Sequence, residues 1–233
     1  MKKILGLGLG ICIVGSSMVA FANDEISSIV RGGLLYDKWY KVINAEKPTD
    51  THPAWPVSNT KKKGDATQRC KACHGWDMMG KDGAYASGSY KTGIKGLRQM
   101  EGVAPQEIAA IIKDQTHAYE GKMSEQDILD LALFVSKGQV DMDMLIERST
   151  KKAKGDAAQG STYYNTMCVN CHGKDGSQPK EMPLLGMLAN DNPWEILHKI
   201  LNGQPAERMP ALRALDHQVS ADVLSYLQTL PVK

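Results

Sequence analysis

The chain is poor in aromatic side chains, which make up 6% of its 233 residues and include only two Phe. A segment of about 80 residues with so few large rings buries little apolar surface and is marginal as an independent fold. Beyond residue 22 no apolar run is long enough to cross a bilayer. An excess of either charge is also missing: downstream of residue 22 there are 26 basic and 26 acidic side chains. A polyanion binder would carry a basic stripe, and the only run, Lys61-Lys62-Lys63, reads as a solvated segment. No nucleic-acid partner is therefore expected. Cysteine is scarce, five in all, and its placement carries most of the information.

Residues 1–22 have the pattern of a removable export signal. Lys2 and Lys3 precede an apolar stretch from Ile4, and Ala20-Phe21-Ala22 is a small-x-small cleavage site. The expectation is a periplasmic protein, cleaved after Ala22, with no stable membrane insertion afterwards. Cys12 lies within the signal. The remaining four cysteines form two motifs, Cys70-Lys71-Ala72-Cys73-His74 and Cys168-Val169-Asn170-Cys171-His172. Each is C-x-x-C-H, the signature of covalent c-type haem attachment.

The spacing has a physical reason. On one helical turn, positions i, i+3 and i+4 share a face. Cys70 and Cys73 can then reach the two vinyl groups of a porphyrin as thioethers while His74 ligates the iron, and Cys168, Cys171 and His172 repeat the arrangement. A zinc ribbon would space its Cys pairs by about 15–20 residues, whereas 94 lie between Cys73 and Cys168. A thioredoxin-like pair would want flanking strands, and simple disulfides leave the following histidine unexplained twice. Two covalently bound haem c groups are the expected cofactors, and they would supply the apolar surface that the chain lacks.

The motifs sit in a tandem repeat. Lys63-Gly64-Asp65-Ala66 precedes the first, and Lys154-Gly155-Asp156-Ala157 the second. Pro105-Gln106-Glu107-Ile108 corresponds to Pro193-Trp194-Glu195-Ile196, each proline suiting the first position of a helix. Ser124 can cap a last helix with Ile128, Leu131 and Val135 inward, and Asp216 another with Val223, Leu224 and Leu227 inward. This arrangement resembles class I cytochromes c over roughly residues 63–137 and 153–233. The resemblance implies an all-α fold of two tandem cytochrome c domains, each wrapped around one covalent haem. It gives a signal at 1–22, an N-terminal helical extension at 23–62, domain 1 at 63–138, a connector at 139–152 and domain 2 at 153–233. Gly64 precedes Cys70 by six residues and Gly155 precedes Cys168 by 13, so the first copy lacks about two turns of its leading helix. An amphipathic helix through Ile29, Leu34, Trp39 and Tyr40 is expected to pack in its place.

Sixth ligands follow from the same register. Met209, in the loop before the Asp216 cap, stands where the family places its distal methionine. For the first haem, counting seven back from Ser124 gives His117, whereas counting forward from Pro105 favours Met123. Met123 also fits a staple against Ile128. His117 is preferred, with Met123 the alternative and His52 a remote third, while His198 and His217 read as structural. Met78, Met79, Met100, Met182 and Met187 read as packing around the haem pockets. A bis-imidazole site has a lower potential than a His/Met site, so the two potentials would be staggered.

Six-coordinate haems suit a periplasmic electron carrier rather than an enzyme, with periplasmic redox proteins as donor and acceptor. The competing functions are a haem subunit of a larger periplasmic oxidoreductase, or a dihaem peroxidase-like enzyme in which one iron loses its distal ligand. Haem propionates would make the formally neutral protein acidic and favour basic partners. Mass spectrometry of the exported product is expected to show two haem adducts, and bare polypeptide would leave the assignment without support.

Overall fold

The computed structural model describes residues 15–233, with side chains from residue 24 onward. The expected export signal and its cleavage site lie outside the residues whose side chains are described. No described helix is long and apolar enough to cross a membrane. The helices are α1 (Gly15–Val42), α2 (Cys70–His74), α3 (Pro105–Lys113), α4 (Glu125–Lys137), α5 (Ala157–Met167), α6 (Val169–His172), α7 (Leu185–Asp191), α8 (Pro193–Asn202) and α9 (His217–Leu227). Among the described residues the fold departs from all-α at one small antiparallel hairpin, β1 (Ile146–Glu147) with β2 (Lys152–Ala153), and at an isolated bridge, Gly80 to Lys95.

Local chemistry explains the helix ends. Pro105 and Pro193 open α3 and α8, where a missing N–H costs nothing. Ser124 and Asp127 form a reciprocal capping box on α4, and the carboxylates of Asp156 and Asp216 cap α5 and α9. The inward stripes are those the periodicity gives: Ile128, Leu131 and Val135 on α4, and Val223, Leu224 and Leu227 on α9, are all buried.

Two apolar clusters result. The first gathers α1, α3 and α4 around Tyr36, Trp39, Ile108, Ile128 and Phe134. The second gathers α5, α7, α8 and α9 around Tyr164, Leu197, Leu201 and Leu224. In each, a leading helix crosses a trailing helix at a glycine. A Cβ on Gly32 would lie 2.1 Å from the Asp130 carbonyl oxygen and 2.6 Å from Phe134 Cβ. A Cβ on Gly160 would lie 1.9 Å from the Asp222 carbonyl oxygen and 3.0 Å from Tyr226 Cβ. One turn after each glycine a tyrosine hydroxyl donates to the carbonyl of the glycine after the motif histidine: Tyr36 to Gly75 and Tyr164 to Gly173, both 2.6 Å.

This pairing corrects one expectation. The leading helix of the first half is not shortened. It is α1, complete and displaced upstream by a long insertion. Lys63-Gly64-Asp65-Ala66 is no counterpart of Lys154-Gly155-Asp156-Ala157, because Gly64–Thr67 forms a short 3-10 turn. Asp65 there accepts from the Tyr40 hydroxyl (2.9 Å) and caps no helix.

The two clusters meet across a polar seam. Asp37 of α1, only 1% exposed, is paired with Arg69 and, at 2.8 Å, with Lys199 of α8. Those two cations outweigh its burial and hold its carboxyl well below the usual carboxylate range. Removing one partner from such a buried cluster typically costs about 3–5 kcal/mol. Nearby, His198 donates from Nε2 to the Gly33 carbonyl (3.0 Å) and lies 5.0 Å, ring to ring, from Trp76. Trp76 and Tyr85 follow the first motif in sequence, yet belong to the second apolar cluster. The connector is equally integrated. Met142, Leu145 and Ile146 are buried in the second cluster, and Arg148 bridges Asp77 (2.8 Å) and Asp143 (2.7 Å) while lying over the Trp194 ring.

Two measurements test this packing. Gly32→Ala forces a methyl group into the α1–α4 crossing, which is expected to destabilise the protein by about 1–3 kcal/mol, read as a lower denaturant midpoint. His198 has its pKa lowered to about 3, chiefly by burial and against the pull of Asp37. It is neutral when folded and takes a proton when unfolded, so stability should fall as pH drops from about 6.5 towards 3, by on the order of 1 kcal/mol per unit. In a His198→Asn variant the same acid titration should be flatter.

Candidate haem-binding site

At the first motif, α2 is one turn held by its flanks. The Gly75 carbonyl takes the Tyr36 hydroxyl, and the Gln68 carbonyl takes both Trp39 Nε1 (2.8 Å) and the Tyr119 hydroxyl (2.9 Å). Beside it opens a cavity of about 300 Å³. Cys70, Cys73 and His74 form one wall; Ile108, Ile112, Leu131 and Val135 line its interior, with Leu97 and Met100 from the loop before α3. Burial pushes the Cys70 and Cys73 thiols up to about 12, so neither is a thiolate at neutral pH. The four described cysteines form no disulfide. Among the described residues no three His, Cys, Asp or Glu side chains cluster to hold a bare metal ion.

The imidazoles of His74 and His117 face each other in this cavity. Their centroids are 6.3 Å apart and their planes 26° from parallel. Nδ1–H of His74 donates to the Lys95 carbonyl (2.9 Å), and Nδ1–H of His117 to the Asp114 carboxylate (3.0 Å). Each ring thereby keeps its Nε2 free, the tautomer that a metal-ligating histidine needs. Burial, reinforced by the neighbouring His117, lowers His74 to about 4 and keeps it a neutral donor. Two imidazoles bonded at ~2 Å to a metal between them would have centroids roughly 6 Å apart, so the residues present fit an iron porphyrin held between these rings.

The other candidates are placed differently. Met123 is buried in the first apolar cluster and does not line the cavity. His52 lines it, but Nε2–H donates to the His117 carbonyl and Nδ1 accepts the Ala54 N–H. His52 therefore has no nitrogen left for a metal. Of the methionines expected to pack a pocket, Met100 does line the cavity, whereas Met78 is buried beside Trp76 and Met79 lies against Arg148.

The second motif shares the pattern in a more open setting. Cys168 and His172 are half-buried and Cys171 is exposed. Nδ1–H of His172 donates to the Gln178 carbonyl (3.2 Å), the counterpart of His74 to Lys95. Burial raises Cys168 to about 11. Met209 is half-buried in the loop between α8 and α9. Backbone bonds from Leu212 to Ile200 and from Arg213 to Leu201 fold that loop back on α8. Met182 packs against the second cluster, and Met187 is 40% exposed.

In the second half the C-x-x-C-H motif, the crossing of α5 over α9 and the Tyr164 brace together suit a c-type cytochrome unit. Residues 155–227, from just before α5 to the end of α9, match the family model described as cytochrome C oxidase, cbb3-type, subunit III. No curated protein and no solved structure matches the chain. The matched segment contains Cys168, Cys171, His172 and Met209.

Asp114, Tyr36 and the role of His52 are what the sequence alone did not reveal. Asp114 stands three residues before His117, close enough in sequence for its carboxylate to accept from both the His117 N–H and the ring. Tyr36 is separated from the motif by too many residues for any periodic signal.

Proposed function

We propose that the chain is an exported two-haem c-type cytochrome that passes single electrons between periplasmic redox partners and is not itself an enzyme. The observation that carries this reading is the pair of facing imidazoles, His74 and His117, in the apolar cavity beside Cys70 and Cys73. Support for a second unit of the same design comes from the repeated crossings, Gly32 over Asp130 and Gly160 over Asp222, and from the repeated tyrosine braces. On this reading the first unit begins with α1, not at residue 63, and the hairpin segment 139–152 joins it to the second.

Cys70, Cys73, Cys168 and Cys171 would hold the two porphyrins as thioethers, with His74 and His172 as proximal ligands. His117 would complete the first site and Met209 the second. Haem supplies a one-electron iron couple. The protein's part is to bury the groups, fix both axial ligands so that little rearranges on reduction, and set the potential. At the first site two neutral imidazoles, one braced by a carboxylate, favour the ferric state; a thioether at the second favours the ferrous state. Were His117 and Met209 to stay bound as sixth ligands, peroxide would find no vacant coordination site, which weighs against a peroxidase-like reading.

A second reading has an observation of its own. The family matched by residues 155–227 is named for a subunit of an oxidase, which favours a haem subunit docked on a larger periplasmic oxidoreductase. Co-purification from native membranes and extracts separates that from a freely diffusing carrier.

The ligand geometry gives a specific test. Imidazole planes only 26° from parallel split the iron d-orbitals strongly, so the ferric first haem should give a rhombic low-spin electron paramagnetic resonance signal. His117→Ala should abolish that signal and let the ferrous haem bind carbon monoxide. A near-infrared methionine-to-iron band from both haems of the unmodified protein would overturn the assignment of His117.

A further inference from the structure

The insertion between α1 and the first motif has no counterpart in the second half. Gly32 precedes Cys70 by 38 residues, and Gly160 precedes Cys168 by only eight. We propose that this insertion exists to hold the distal ligand, with His52 as the positioning residue that fixes the backbone of His117. The proposal rests on the reading of His117 as an axial ligand and says what makes that ligand rigid.

His52 is 6% exposed and fully engaged. Its own N–H donates to Thr67 Oγ1 (2.9 Å), its Nδ1 accepts from Ala54 N–H (3.2 Å), and its Nε2–H donates to the His117 carbonyl (2.9 Å). The ring packs at 5.8 Å on Tyr119, whose hydroxyl is tied to the Gln68 carbonyl two residues before the first motif cysteine. Between His117 and Tyr119 stands Ala118 with φ +55°, a left-handed conformation that a residue bearing a Cβ adopts at a cost. Such a conformation persists only where its surroundings over-determine it. Here they do: the Asp114 carboxylate accepts from the His117 N–H (2.9 Å) and ring on one side, and His52 grips the His117 carbonyl on the other. The imidazole of His117 is thus aimed at His74 by three hydrogen bonds, two to Asp114 and one from His52. Met209 lies in a loop already folded back on α8 by backbone bonds, and the second half carries no equivalent insertion.

The test uses the full-length holoprotein with His52→Leu and His52→Gln. Leucine keeps bulk but offers no donor, whereas glutamine can still donate to the His117 carbonyl. His52→Leu is expected to replace the rhombic ferric signal of the first haem by a mixture of signals, and to raise carbon monoxide uptake by the ferrous protein at least tenfold. His52→Gln should retain the wild-type signal and exclude carbon monoxide. Two results overturn the proposal: both variants spectroscopically identical to wild type, or His52→Gln as damaged as His52→Leu, which would reduce His52 to a packing residue. If His52→Leu does not accumulate, the decision passes to nuclear magnetic resonance of the diamagnetic reduced wild-type protein. A slowly exchanging His52 Nε2 proton is expected there, and a freely exchanging one overturns the proposal. Methionine ligation of the first haem in the wild type would instead remove the reading of His117 itself.

Discussion

The turn that carries the first motif is positioned by one close contact, the crossing of α1 over α4 at Gly32. Helix axes approach this closely only where one partner has no side chain, and there the Gly32 backbone lies against the Asp130 carbonyl. The crossing sets Tyr36 one turn further along, where its hydroxyl reaches Gly75, and so fixes the turn that presents Cys70, Cys73 and His74. On the outer side, Arg31 ties α1 to Asp127 and Asp130 of α4. The Cys70–His74 turn has five residues and cannot stand alone. Its geometry is borrowed from two helices that it barely contributes to.

Local features of the fold were legible in the sequence, and non-local ones were not. The C-x-x-C-H motifs, the opening prolines of α3 and α8, and the caps at Ser124 and Asp216 depend on neighbours within one turn, so spacing alone reveals them. The first distal ligand was ambiguous because the loop lengths differ between the halves, and two counting rules disagreed. In three dimensions His117 lies across from His74, and Met123 lies in the apolar cluster. The resemblance of Lys63-Gly64-Asp65-Ala66 to its later twin misled, because four residues can recur without sharing a role. The true counterpart of α5 was hidden behind the insertion.

The seam between the halves is a second consequence that pattern reading could not reach. Trp76 directly follows Gly75 in the first motif's wake but packs with the second cluster, under the cations of Lys71 (4.7 Å) and Lys199 (5.4 Å). Asp37, Arg69 and Lys199 draw α1, the first motif and α8 together at one buried carboxylate. The halves are therefore joined through their cores and not merely strung on a connector. A substitution in either face of the seam reaches the backbone next to a motif cysteine.

The long insertion also bears on the order of assembly. Closing the loop from Gly32 to Cys70 costs about 1.4 kcal/mol more in chain entropy than closing the one from Gly160 to Cys168. Contacts of longer reach form more slowly. The carboxy-terminal turn can therefore acquire its shape early, while the amino-terminal cysteines stay unshielded for longer as the polypeptide emerges.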